Sequence, residues 1–419
     1  MGYHSISRSI ETSNHNDNIP SYSATVPYYY SSISHPLLQN IPNELKEVLI
    51  KSRPSISSVY ENNVIDINDV LAMNANRSKF EKDEEKQNIY PLFWHIPRSG
   101  GGTISNLLGE CLGLTLASSS SLYTSRRNTF YQNIFEDDSE LLRNEWYEKS
   151  VFVNVNLDTK EGIERASKLG IFENIHADVM ISPLIHDIPT MLFEDHTQTA
   201  INGTKIQASL FTMLRHPIER EISYFNNVKH SISVGDGGVG IMDEAIRRFE
   251  FIDWLHSVHF IDNFMVRRLV NKMEGSYKVT IDDLLSAKEV LRRKFLIGLL
   301  EEKAQSWDRI KSTYKIYWDH GHKDVNNMRT ILMPTHDCEN KLLSYNWPNR
   351  NQRQPLMDHD KYLRETTHDK EGKRNIDHYG WETVIDTNTY DKIRDLNEYD
   401  LMLYEYAKYL FKEQGSYFK

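Results

Sequence analysis

The stretch from Tyr90 to Leu116 constrains the fold more than any other part of this 419-residue chain. Pro91-Leu92-Phe93-Trp94-His95-Ile96 is a short apolar run rich in aromatics, which suits a buried strand. Pro97-Arg98-Ser99-Gly100-Gly101-Gly102-Thr103-Ile104 follows it. From Ile104 to Leu116 apolar residues recur at helical spacing. The order is strand, glycine-rich loop, helix. Gln207 to Leu214 and Phe295 to Leu300 are two further buried-strand candidates, set apart by long helical segments. That alternation predicts an α/β chain with a mostly parallel sheet. Pro217 opens the helix after the second run, at a position where its missing N–H would be unpaired anyway. Tyr390 to Phe411 reads as one amphipathic terminal helix.

Length alone suggests two or three domains at roughly 150 residues each. The motifs, however, span nearly everything after residue 88. The expected division is an unpacked or weakly helical region over residues 1–88 and one enlarged domain over 89–413. Met1 to about Asn40 is rich in Ser, Asn, Tyr and His and shows no periodicity, which reads as disorder. Asn43 to Ile50 and, more weakly, Val64 to Met73 have helical spacing. Glu81-Lys82-Asp83-Glu84-Glu85-Lys86 reads as a solvated linker or helix face. No signal peptide pattern and no long uncharged apolar run is visible, so the sequence predicts no transmembrane segment and a soluble chain.

The chain holds 49 Lys and Arg against 59 Asp and Glu, a formal charge of −10. That balance argues against nucleic acid as a partner, which needs a basic face. It leaves room for a local basic pocket around one anionic ligand. Cys111 and Cys338 are too few for a disulfide framework or a four-thiolate zinc site. One bridge between them stays open. No metal site is expected.

The loop carries the chemistry. Gly100, Gly101 and Gly102 let the backbone approach a ligand closely. N–H groups at the start of the next helix are unpaired donors in a positive potential. Arg98 adds a charge, and Ser99 and Thr103 add hydroxyls. Residues 98–104 together suit a phosphate or sulfate group. The loop is not a Walker A motif, because no Lys precedes the hydroxyl. No strand ends in an Asp suited to Mg²⁺, so a P-loop kinase or nucleotide hydrolase is not expected. Leu214-Arg215-His216-Pro217 supplies a second basic group at a strand end, where ligands bind in open α/β sheets. Ser223 lies eight positions later, two helical turns on, and returns its hydroxyl to the same side. Arg215 and Ser223 could grip a second phosphate. Taken alone, pairing of Arg215 with Glu219 is the simpler reading.

The two motifs together resemble the sulfotransferases that use 3′-phosphoadenosine 5′-phosphosulfate. His95 to Thr103 is similar to that family's His-Ile-Pro-Lys-Thr-Gly-Gly-Thr loop, which binds the 5′-phosphosulfate. Arg215 and Ser223 keep the spacing of its 3′-phosphate motif. The carbohydrate branch is nearest, with heparan sulfate 6-O-sulfotransferase as the closest flavour. Leu396 to Ala407 resembles that branch's last helix, and Asp262-Asn263 with Arg267 resembles its Asn-Asn and Arg segment. The resemblance spans roughly residues 90 to 411 and does not cover the intervening loops. It implies a P-loop-type α/β fold, a parallel sheet flanked by helices on both faces. It implies 3′-phosphoadenosine 5′-phosphosulfate as co-substrate, held by Arg98, Ser99, Gly100, Gly101, Gly102, Thr103, Ile104, Arg215 and Ser223 without a metal. The acceptor would be a hydroxyl, of a glycan, and the location the Golgi lumen.

Sulfuryl transfer needs a base for the acceptor hydroxyl and cations for the transferring group. Among 17 histidines, His176 in Ile175-His176-Ala177-Asp178 resembles the Leu-His-Ala-Asp segment that carries the base. His186 is the alternative. Asp178 is expected to orient the His176 ring only if the chain turns back. Arg98 stands where the family has Lys. Arg keeps the charge but releases no proton to the leaving group. A working, slower enzyme is expected, or a nucleotide-binding protein of the same fold with weakened turnover. Acceptor choice would rest on residues 234–240 and 346–354.

Overall fold

The structure, a computed structural model, describes residues 55–75, 89–118, 141, 143–145, 150–172, 177–194, 206–233, 246, 248–320, 335–344, 373–376 and 382–418. The expected N-terminal disorder, the helix at 43–50, the charge run at 81–86, His176 and the two proposed acceptor loops lie outside these residues.

Seven strands form the main sheet: β1 (Ile89–Trp94), β2 (Thr115–Ala117), β3 (Arg143–Glu145), β4 (Val151–Val153), β5 (Val179–Ser182), β6 (Gln207–Leu214) and β7 (Phe295–Leu299). Their spatial order is β3-β4-β2-β5-β1-β6-β7. Every neighbouring pair is parallel except the edge pair β3–β4. This is an α/β fold with a parallel sheet, as the spacing of apolar runs predicts. β1 is an interior strand, in register with β5 through Trp94 and Ser182 and with β6 through Trp94 and Thr212. From β1 the chain leaves toward β2, on one side, whereas β6 and β7 lie on the other. The carboxyl end of β1 is therefore a topological switch point, where ligands bind in sheets of this kind.

Consecutive residues Leu92, Phe93 and Trp94 are all buried, so both faces of the sheet are covered. Phe93, Ile181, Phe211, Met213 and Leu296 share one core cluster with residues of α2 (Ile67–Ala75), α3 (Gly101–Asn106) and α9 (Lys303–His320). On the other face Trp94 packs on Phe295, with ring centroids 5.6 Å apart. The remaining helices are α1 (Ser58–Asn63), α4 (Lys160–Lys168), α5 (Pro217–Ser233), α6 (Phe251–Leu255), α7 (Phe264–Leu269), α8 (Ile281–Lys294), α10 (Thr335–Ser344), α11 (Thr387–Leu396) and α12 (Glu398–Gln414). A two-stranded antiparallel pair, β8 (Lys373–Ile376) and β9 (Glu382–Ile385), stands apart from the main sheet. No helix among the described residues is long and apolar enough to cross a membrane.

Several expectations change. Pro54–Lys419 form one compact unit, so the folded body begins well before residue 89. Tyr60, Val64, Ile67, Val70 and Leu71 are buried in it, and Val64 bridges Ala208 of β6. Ion pairs fix this segment to the end of α8: Arg293 meets Glu61 at 2.5 Å, and Lys294 meets Asp66 at 2.6 Å. Burial alone would raise the Asp66 carboxyl, but the bonds and charges of Lys294 and Arg293 outweigh it and hold it low. The helix after the glycine-rich loop ends sooner than its spacing suggests. It passes through a π-helical turn, Leu107–Cys111, and Thr115–Ala117 is strand β2. The terminal helix is two helices, broken at Asn397, whose side chain donates to Ile393 O at 3.0 Å. Cys111 and Cys338 are joined by a disulfide, which fastens α10 to the π-helical turn behind α3.

Candidate functional site

The glycine-rich loop leaves β1 at its carboxyl end. His95 N–H donates to Ser182 O at 3.0 Å and so continues the β1–β5 pairing by one residue. Arg98 then adopts φ 66° and Gly100 φ 91°. Positive φ is ordinary for glycine, but it costs an arginine on the order of 1 kcal/mol. A backbone outlier of this kind in a loop at a strand end marks a place that the surroundings over-determine. Gly101 is required by packing: a Cβ there would lie 2.1 Å from His95 Cδ2. Gly102 differs, since a Cβ there meets nothing within 4 Å. Its Cα faces open space at the first turn of α3. No side chain caps this helix, and N–H groups of a first turn point outward as anion donors.

The two motifs meet. Arg98 Nε donates to Ser223 Oγ at 3.1 Å, and Arg98 Nη1 donates to Asn227 Oδ1 at 3.0 Å. In return Arg215 Nη1 donates to Arg98 O at 3.2 Å. Arg215 also pairs with Glu219, Nε to Oε2 at 3.5 Å, so the simpler pairing and the motif pairing coexist. Ser223 reaches the loop because α5 begins at Pro217 directly after β6, which lies beside β1. Ser99 is 1% exposed and its hydroxyl has no partner. A buried hydroxyl without a partner is costly unless a ligand or water satisfies it. Thr103 is half-buried at the first turn of α3. Ile104 is a core residue, and its N–H donates to Gly100 O at 3.2 Å. Of the expected binding set, it contributes to the site only by closing the helix start.

The structure brings Arg98, Ser99, Gly100, Gly101, Gly102, Thr103, Arg215 and Ser223 together beyond the carboxyl ends of the neighbouring strands β1 and β6. It does not describe His176. The residues that follow it are placed: Asp178 accepts from Thr115 N–H at 2.7 Å, and its own N–H donates to Thr115 O at 2.8 Å. Ala177 and Asp178 lead into β5, which runs parallel to β1. They therefore stand at the amino end of the sheet, the end opposite the loop. His186 sits in the segment after β5, with its Nε2 3.0 Å from Arg268 O, 3.2 Å from Leu269 O and 3.1 Å from the Tyr60 hydroxyl. Burial lowers its pKa, and the two carbonyls offset this only in part. It is a histidine engaged by the fold.

One participant escapes sequence reading. Asn227 lies one helical turn after Ser223, and residues four apart share a helix face; that spacing is the available signal. The His95 ring, behind Gly101, is pushed down to about 4 by burial and is a neutral packing surface at neutral pH. Asp262, Asn263 and Arg267 serve the scaffold. Arg267 donates to Asp262 Oδ1 at 2.7 Å and to the carbonyls of Asp262, Lys272, Glu274 and Tyr277, which fixes the turn after α7. No group of three metal-ligating side chains is present among the described residues.

Chemically, the site offers two guanidinium groups, two buried hydroxyls and the open start of a helix. Such a set has the chemistry to hold an anion with charge on two nearby groups. Fold and site define an α/β protein of parallel-sheet type with a glycine-rich loop framed by two arginines at its switch point. No family model matches the chain, and no similar protein was found among the curated proteins or the solved structures.

Proposed function

We propose that the protein is a sulfotransferase that moves a sulfuryl group from 3′-phosphoadenosine 5′-phosphosulfate to a hydroxyl of a carbohydrate. The observation that carries this reading is the meeting of Arg98 with Ser223 and of Arg215 with the Arg98 carbonyl. Motifs more than a hundred residues apart, each suited to one phosphate of the same nucleotide, lie together beyond the carboxyl ends of β1 and β6. In the reaction the acceptor oxygen bonds to sulfur and the bond from sulfur to the bridging oxygen of the 5′-phosphate breaks. The hydroxyl proton passes to a base, and adenosine 3′,5′-bisphosphate leaves. Arg98 neutralises charge on the bridging oxygen and its phosphate, and the α3 N–H groups support the same charge. Arg215 and Ser223 hold the 3′-phosphate.

His176 carries the base role through the resemblance alone. The placement of Ala177 and Asp178 at the amino end of β5 weighs against it. A Cys111–Cys338 disulfide suits an oxidising compartment, in keeping with the Golgi lumen. A second reading is a nucleotide-binding protein without turnover, favoured by the arginine at position 98, which lends no proton to a leaving group.

The test is calorimetric binding of adenosine 3′,5′-bisphosphate, followed by transfer of labelled sulfate to a panel of glycans. Loss of a charge-assisted contact in Arg215→Ala should weaken nucleotide binding by about tenfold or more. A wild-type protein that binds no bisphosphate at millimolar concentration sinks the proposal. Binding without transfer to any acceptor selects the second reading. Undiminished transfer by His176→Ala removes His176 as base.

A further inference from the structure

Arg98 is held at two points of one helix face. Nε reaches Ser223 and Nη1 reaches Asn227, four residues apart on α5. A guanidinium is planar, and two bonds to points one helical turn apart fix its plane, which a single bond does not. An ammonium group has one nitrogen and no plane to fix. The arginine thus brings a requirement of its own, a second holder, at a position where the resembling family has lysine. Asn227 is half-buried and meets that requirement with a neutral carboxamide, so this second bond orients the guanidinium without adding a negative charge beside it.

We propose that Asn227 is a positioning residue that orients the Arg98 guanidinium toward the anion bound by the loop. This rests on the reading of the site given above. Arg215 completes the arrangement from the other side, since it holds the Arg98 carbonyl and with it the positive φ of that residue. The side chain is set by α5 and the backbone by the end of β6.

The experiment measures adenosine 3′,5′-bisphosphate affinity and thermal unfolding for the intact chain and for Asn227→Ala, Asn227→Asp, Arg98→Ala and the Arg98→Ala/Asn227→Ala pair. Asn227→Ala should weaken binding about fivefold where Arg98 is present and less than about twofold where it is absent, because residues in direct contact are not additive. Asn227→Asp keeps size and acceptor but neutralises the guanidinium, so it should weaken binding at least about tenfold, with the unfolding temperature kept within about 2 °C of wild type. Equal losses in both backgrounds, or Asn227→Asp binding as wild type does, would overturn the proposal. A wild-type protein that binds no bisphosphate removes the sulfotransferase reading but still tests the contact. In that case a double variant that loses less unfolding temperature than the two single losses combined supports the Arg98–Asn227 hold, and full additivity refutes it.

Discussion

A methyl group at Gly101 would lie 2.1 Å from the His95 ring, whereas one at Gly102 would meet nothing within 4 Å. Adjacent glycines thus answer to different demands. Gly101→Ala should destabilise the protein by about 1–3 kcal/mol, the usual cost of overpacking. Gly102→Ala should stabilise the empty protein by up to about 1 kcal/mol, through helix propensity and the unfolded chain. It should also weaken bisphosphate binding, because the methyl group enters the space over the first turn. Denaturant unfolding with and without the nucleotide checks both; a Gly102→Ala variant that loses stability contradicts the open-space reading. Position 98 gives a second test. In the proposed transfer, lysine there would protonate the bridging oxygen as it leaves, a contribution of general-acid type that is often worth about a hundredfold. Arg98→Lys should therefore raise kcat by about tenfold or more, and an unchanged or lower kcat counts against acid assistance at this position.

Helices α7 and α12 cap each other, and neither cap is legible from spacing. Asn263, at φ 45°, accepts the N–H groups of Tyr399 and Asp400 at 2.9 and 3.1 Å. Asp400 in turn accepts those of Met265 and Val266 at 2.9 and 2.8 Å. Asn263→Ala loses these two bonds and the one its amide donates to Asp262 Oδ2, and it keeps the unfavourable φ, so it should cost about 2–4 kcal/mol. Asn263→Gly relieves the φ and should cost less; the reverse order in thermal unfolding would show that the φ is unimportant. What the sequence reveals follows from which elements carry their own pattern. β6 and β7 are runs buried on both faces and mainly apolar, with Gln207, Ser209 and Thr212 as the polar members of β6, so Gln207–Leu214 is legible to the residue. β2, β4 and β5 have three or four residues each, too short for a run to stand out from neighbouring helices. Helix α2 is weakly patterned, and the ion pairs of Glu61 and Asp66, just ahead of it, with the end of α8 join residues far apart in the chain, which no local signal announces. At the site, Arg98, Arg215 and Ser223 are legible because motif spacing fixes them. Asn227 is not, because nothing marks Arg98 as needing a second partner.

Over the whole molecule, buried titratable groups set an acid limit. Burial pushes His95 down to about 4 and lowers His186, so both are neutral in the folded protein where the unfolded chain would protonate them. Their contribution is complete above about pH 6.5 and is lost as pH falls below it, for His95 down to about 4. Asp400 runs the other way. Burial pushes its carboxyl up to about 6, so the folded state takes up a proton before the unfolded state and gains stability as pH falls from about 6 to about 4. Two losses against one gain predict a lower unfolding temperature at pH 5 than at pH 7.5. Asp400→Asn should steepen that decline, and an unchanged slope would remove Asp400 from the balance. The same aspartate has a consequence in time. The backbone groups it satisfies on α7 precede it by some 135 residues, and Gln414, whose amide bonds Phe295 O and Ile297 N of β7, follows them by nearly 120. Synthesis at about 5–20 residues per second leaves α7 and the β7 edge waiting on the order of ten seconds for their partners. During that interval the nascent chain shows an unpaired strand edge, and it is then, rather than after folding, that this protein is most exposed to association with its neighbours.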